Sequence, residues 1–169
     1  KISITAGLSV FEGLISLYPN TPFKLKWPND IYLNGKKLGG ILIESSINKR
    51  SIEYFIIGIG INIVTSPDRL EYDTIKISDF SNITDPKLIF QVIEKSISTN
   101  FKFLIDKKFN SIKHKWLKRS LNLGKEISIR RENKIFRGKF LSLDDYGSII
   151  MENIKKEKVT VKVGELLGE

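Results

Sequence analysis

The chain has 169 residues, 41% of them hydrophobic and 28% charged, with no cysteine and a formal net charge of +9 at pH 7. That length supports one good-sized core, or a core with a small appended unit; the lack of cysteine excludes a disulfide framework, a thiolate metal site and a cysteine nucleophile, as suits a reducing cytoplasm. No run approaches the roughly eighteen apolar residues of a membrane span, and "KISITAGLSV" lacks the order of a secretory signal, so the expected setting is cytoplasmic with no membrane partner.

In "ISITAGLSVFEGLISLY", Ile4, Leu8, Phe11, Ile15 and Tyr18 recur at steps of four and three. That spacing predicts a helix over 3–18, which Pro19 and Pro22 stop. "FKLKW" alternates Phe23, Leu25 and Trp27 with Lys24 and Lys26, the period of a half-buried strand. "DIYL" and "KKLGGILIES" flank Asn34-Gly35, a dipeptide suited to positive φ at both central positions of a type I′ hairpin turn. After the polar loop "SINKRS", "IEYFIIGIGINIV" reads as a central strand, and an antiparallel sheet follows. Residues 65–85 show no sustained period and read as an excursion. Asp85 as cap and Pro86 at the first position open a helix with a stripe of Ile89, Ile93, Ile97, Phe101 and Leu104. A second, short helix buries Phe109, Ile112 and Trp116. From Leu121 onward four short strands, "GKEISIRR", "KIFRGKFLSLD", "GSIIMEN" and "KVTVKVGEL", predict a small β-barrel. No flexible linker separates the two parts, so they are expected to pack together.

The positive charge is spread along the chain. Its densest stretch, "KHKWLKRS" at 113–120, ends a predicted helix where cations suit the dipole, and no nucleic-acid partner is called for. There is no Walker-type phosphate loop, and "GIGIN" lacks the third glycine and following helix of a dinucleotide fingerprint. The single histidine, His114, lies between two lysines on a helix and reads as solvated, which removes histidine triads and histidine metal sites. "NIT" at 82–84 is a chance glycosylation tripeptide in a chain with no mark of secretion.

Small and polar residues interrupt the apolar strands. By parity Gly58, Gly60 and Asn62 share one face, and Ile57, Ile59, Ile61 and Ile63 share the other. Two readings fit the glycine face: a ligand lying flat on the backbone, or a helix packed closely over it. Gly40 and Leu42 share a face in the preceding strand. A regular strand points Lys37 to the opposite one, unless a bulge at Gly39-Gly40 re-aims it or Lys37 sits at the strand's entry. Asn29 and Asp30 after Pro28 suit a turn.

"KWPNDIYLNGKKLGGILIE" followed by "FIIGIGINI" closely resembles the central signature of biotin protein ligases, and the terminal strands are similar to the SH3-like domain that closes them. The resemblance implies an α+β fold like that of class II aminoacyl-tRNA synthetases and biotin ligases: a mixed, mainly antiparallel sheet packed by helices in a catalytic domain over 1–120, and an SH3-like barrel over 121–169. It implies two steps, activation of biotin by ATP to biotinyl-AMP and transfer to a lysine of the biotin carboxyl carrier domain of acetyl-CoA carboxylase or a relative. Lys37 matches the catalytic lysine, contacting the biotin carboxylate and the α-phosphate. Gly40, Leu42, Gly58 and Gly60 would take the biotin. Asn29 and Asn62 would steer phosphate oxygens or the water shell of Mg²⁺, which has no direct protein ligand, and Asp30 would fix Lys37 or the nucleotide. The barrel would close over the nucleotide or help dock the carrier, and the sheet edge leaves a homodimer open.

A Ser/Thr-rich biotin-contacting segment and a glycine-arginine-rich loop over the adenylate, which belong to the same resemblance, occur nowhere in the 169 residues. The chain is therefore expected to be a fragment that does not adenylate biotin at a useful rate alone. The alternatives are a lipoate-attaching enzyme of the same fold and a non-catalytic basic module that binds nucleic acid.

Overall fold

The stripe of apolar residues at the start of the chain becomes helix α1 (Ile2–Leu17) in a computed structural model that describes residues 1–48, 51–68 and 72–167. Its burial goes beyond one face: Thr5, Ala6, Gly7, Ser9, Val10 and Leu14 are buried along with Ile4, Leu8 and Phe11. The reason is its central position, with a sheet on one side and two helices on the other. Strands β1 (Phe23–Lys26), β2 (Asp30–Leu33), β3 (Lys36–Asn48) and β4 (Ser51–Ile61) form an antiparallel sheet in the order β1-β2-β3-β4. The β2–β3 turn has φ of 50° at Asn34 and 78° at Gly35, the conformation the dipeptide predicts. The predicted polar loop at 46–51 is shorter than expected, because β3 runs to Asn48 and β4 starts at Ser51; its middle lies outside the described residues.

Helix α2 (Pro86–Ile105) begins where Asp85 accepts a hydrogen bond from the Lys87 N–H at 2.9 Å, and it buries Ile89 and Ile93 as expected. It approaches α1 closely, since a Cβ on Gly13 would stand 2.8 Å from the Ile93 Cα. Asn100, also buried, donates to Glu12, which Lys115 contacts at 3.1 Å, so a polar network crosses the packed helices. Helix α3 (Phe109–Arg119) buries Phe109, Ile112 and Trp116 and leaves His114 exposed.

The C-terminal strands are β5 (Glu126–Arg131), β6 (Lys134–Leu143), β7 (Ile149–Glu152), β8 (Lys158–Val161) and β9 (Glu165–Leu166), in an antiparallel sheet ordered β8-β7-β6-β5-β9. The last predicted strand is two strands, parted at Gly164, whose φ is 154°. Among the described residues no ladder joins β8 to β9, so the expected barrel is seen as an open five-stranded sheet. Segments that flank the second sheet are hydrogen-bonded directly to the N-terminal part. Trp27 Nε1 donates to the Gly147 carbonyl at 3.0 Å, the Leu121 N–H to the Leu25 carbonyl at 2.8 Å, and the amino terminus to the Tyr146 carbonyl at 2.7 Å. No helix among the described residues is long and apolar enough to cross a membrane.

Candidate active site

The first sheet has two unlike faces. Ile41, Ile43, Ile57, Ile59 and Ile61 pack into or against the core, as their parity predicts. On the other face Gly40 pairs with Gly60 and Leu42 with Gly58, and Leu42 is 61% exposed. A Cβ on Gly60 would meet only the Gly40 carbonyl at 3.9 Å, and one on Gly58 only Leu42 atoms at 3.7 and 3.8 Å. No helix covers these glycines among the described residues. The described residues leave a flat strip open on this face of the sheet.

The parity conflict at Lys37 is resolved by a register shift. Asp30 pairs with Gly40 and Ile31 with Gly39, yet Tyr32 pairs with Lys37, so Leu38 is the extra residue of a bulge. The bulge lies one residue ahead of the expected Gly39-Gly40. Leu38 is fully buried, and the side chain of Lys37 joins the face of Gly40. The Lys37 ammonium stands 2.8 Å from Asp30 Oδ1, and a Cβ on Gly40 would be 3.0 Å from that oxygen and 3.6 Å from Lys37 Nζ. Gly40 thus makes the floor on which the pair rests. Lys36, at the turn, is exposed.

Both asparagines are engaged by backbone. Asn29 Nδ2 donates to the Ile41 carbonyl, and the Asn29 carbonyl accepts from the Ile41 N–H at 2.9 Å, which ties the "WPND" turn to β3. Asn62 follows the end of β4. Its Nδ2 donates to the Lys37 carbonyl at 3.3 Å and the Ile75 carbonyl at 3.1 Å. A carboxamide nitrogen has two protons. Asn62 has none left for a phosphate oxygen, and only its Oδ1 remains, as an acceptor.

Three residues that sequence reasoning did not single out complete the cationic end. Lys26 pairs with Asp30 across β1 and β2, and its Nζ lies 5.3 Å from the Tyr32 ring centroid. Burial lowers the Lys26 ammonium from its ordinary value and Lys37 adds to that, against Asp30, which raises it. Tyr72 places its ring 5.0 Å from Lys37 Nζ. The alternation of Phe23–Trp27 put Lys26 on the polar face, and counting by two from Asp30 gives Tyr32; Tyr72, in the aperiodic excursion, carried no signal. Lys26, Tyr32 and Tyr72 line a cleft of about 470 Å³ that is also lined by Lys125, just before β5, and by Arg130 and Glu165 of the C-terminal sheet. Asn122 lines it too, and its buried Oδ1 has no hydrogen-bond partner.

Burial, followed by the Asp30 carboxylate and Tyr72, pushes the Tyr32 phenol up from 10.0 to about 12. A phenol whose folded value exceeds its unfolded one contributes stability that is present below pH 10 and is lost as the pH rises towards 12. Urea unfolding should therefore weaken across that window in the wild type more than in Tyr32→Phe, and phenolate absorbance should show one late-ionising group that the variant lacks.

Residues 3–62 match the family model described as the biotin/lipoate A/B protein ligase family. The chain is 29% identical to the biotin–[acetyl-CoA-carboxylase] ligase of Paracoccus denitrificans over 89% of its own length and 66% of that protein. It is 31% identical to the bifunctional ligase/repressor BirA of Bacillus spizizenii over 90% of its length and 48% of that protein. It therefore spans between about half and two thirds of these curated relatives. Among solved structures, it is similar to the biotin protein ligase of Aquifex aeolicus, with a TM-score of 0.83, 30% identity and coverage of 98% of this chain and 72% of that one. The same ligase in complex with biotin and ATP matches with a TM-score of 0.83 at 28% identity, over 99% of this chain and 71% of that one.

Proposed function

The chain belongs to the biotin protein ligase family, and from that premise we propose that its outer sheet face is where biotin is activated by ATP and passed to a carrier lysine. One observation carries this reading: the Asp30–Lys37 pair rests on Gly40 at the head of a strip with no side chain at Gly58 and Gly60. An apolar chain ending in a carboxylate suits such a strip, with its tail along Leu42, Gly58 and Gly60 and its charge at Lys37. The carboxylate oxygen attacks the α-phosphorus of ATP, an O–P bond forms, and pyrophosphate leaves. The carrier amine then attacks the carbonyl carbon of the mixed anhydride and AMP leaves.

The first step joins two anions, so a fixed cation must offset repulsion and meet the charge that grows on phosphate oxygens. Lys37 supplies it. Asp30 holds the long lysine stem in one place before substrate arrives, which limits the ordering that remains to be done on binding. Tyr32, kept protonated, is a neutral donor beside the same charge. Asn29 and Asn62 act by building the frame, with their oxygens free to accept from metal-bound water. Mg²⁺ in this reading is carried by the phosphates and its own waters. When bound, it neutralises phosphate charge. Residues 121–169 form an SH3-like module in this reading, closing over the nucleotide across the cleft or docking the carrier domain, and residues 1–120 the catalytic domain. β4 is an edge strand of its sheet and offers a second copy a pairing surface. The cytoplasm is the setting.

A thermal-shift titration of the natural protein that carries these residues tests the reading. Biotin should raise Tm in a saturable way, while lipoate and single-stranded RNA should not; stabilisation by either of those and none by biotin would sink it. Gly60→Val should stay folded, since its new side chain enters open space and valine suits a strand, yet should abolish the biotin shift by filling the strip.

A further inference from the structure

We propose that Asn62 is a positioning residue for Lys37: its carboxamide nitrogen latches the segment Asp73–Ile75 onto the first residues of β3 and so keeps the Tyr72 ring against the Lys37 ammonium. The consequence for catalysis rests on the ligase reading above; the latch itself does not. Beyond Ile61 the chain leaves β4, and Thr74 takes the place beside β3 as a single parallel bridge to Lys37. Two backbone hydrogen bonds make that bridge, from the Lys37 N–H to the Asp73 carbonyl at 2.8 Å and from the Ile75 N–H to the Lys37 carbonyl at 3.0 Å. A one-residue bridge is a weak attachment. Asn62 adds a hydrogen bond to the carbonyl on each side of it, at 3.3 Å to Lys37 and 3.1 Å to Ile75.

Tyr72 directly precedes the latched segment, so whatever seats Asp73–Ile75 seats the ring 5.0 Å from Nζ. The ammonium is then confined on three sides, by the Asp30 carboxylate, the Gly40 floor and the Tyr72 face. With both amide protons engaged, Asn62 cannot donate to the nucleotide. The effect of those two protons on the reaction passes through Lys37.

Amide hydrogen exchange on the chain itself reads the latch. Asn62→Asp has no donor and turns a carboxylate towards two carbonyls, so the Ile75 amide should exchange about tenfold faster or more. The Leu121 amide, bonded to the Leu25 carbonyl, should not change. Asn62→Ala, which adds no charge, should act in the same direction and serves if the aspartate variant does not fold. In the natural protein, kcat for biotin-dependent pyrophosphate release should fall about tenfold or more, because a displacement of about 1 Å can cost about a hundredfold in rate, while KM for ATP stays within about twofold. Tyr72→Leu should reproduce part of that loss and Tyr72→Phe, which keeps the ring face, should recover it. An unchanged Ile75 exchange rate, or a raised KM for ATP with kcat intact, would overturn the proposal in favour of direct nucleotide contact. A wild-type protein that binds no biotin while Ile75 exchange still responds to Asn62→Asp would support the latch and overturn the ligase reading.

Discussion

Lys37→Ala is expected to reduce biotin-dependent pyrophosphate release by about a hundredfold in the natural protein that carries these residues, while Lys36→Ala leaves it nearly unchanged. The two lysines are neighbours in one hairpin, and their difference arises from the bulge at Leu38. Lys37 lies over Gly40 against Asp30, with its side chain 23% exposed, and Lys36 lies in solvent. Removing a fixed cation from the place where phosphate charge develops should cost on the order of 3 kcal/mol, by comparison with the loss of one oxyanion donor. A solvated lysine contributes only screened charge. Lys37→Ala leaves Asp30, whose side chain is only 19% exposed, without its ion-pair partner, so stability should fall by about 1–3 kcal/mol, between the values for surface and buried pairs. Equal rates for the two variants, or a larger loss for Lys36→Ala, would mean that the ammonium over Gly40 has no part in the chemistry.

Gly39→Ala is expected to destabilise the fold by about 3 kcal/mol, near the upper end for forcing an extra carbon into a packed interior. An added Cβ would collide with the Gly60 carbonyl oxygen and stand 2.9 Å from Ile61 Cδ1. The obstacle is backbone, and the oxygen cannot withdraw without pulling β4 off β3. Against a total stability of about 5–15 kcal/mol for a domain, the loss should lower the urea midpoint clearly. Gly58→Ala, whose Cβ meets ordinary contacts at 3.7 Å, is the control and should stay within about 1 kcal/mol of the wild type. If both substitutions were equally mild, the close approach of β3 and β4 at Gly39 would not exist in solution.

Much of the frame was legible because its causes are local. Asn34-Gly35 takes positive φ wherever it sits between two strands, Asp85 and Pro86 start a helix from their own chemistry, and the isoleucines at 57, 59 and 61 face inward because a strand alternates sides. The same alternation put Gly58 with Gly60 in one strand and Gly40 with Leu42 in the other, and the register of the sheet brings the two pairs onto one face. Periodicity could not say whether that face was covered. Coverage depends on where the helices dock, and they dock on the isoleucine side. The aim of Lys37 was also beyond parity, since one extra residue at Leu38 reverses it and the shift is set by pairing with β2. Asn62 fell on the predicted face by counting, but its partners Lys37 and Ile75 are 25 and 13 residues away, and only the folded chain brings their carbonyls to it. Tyr72 and the cleft across to Arg130 were invisible for the same reason. Steric alternation and turn chemistry act within a few residues, so most elements and their inner and outer faces can be read along the chain. Which outer residues meet around the ammonium follows from the folded chain alone, because hydrogen bonds between distant segments have no period to announce them.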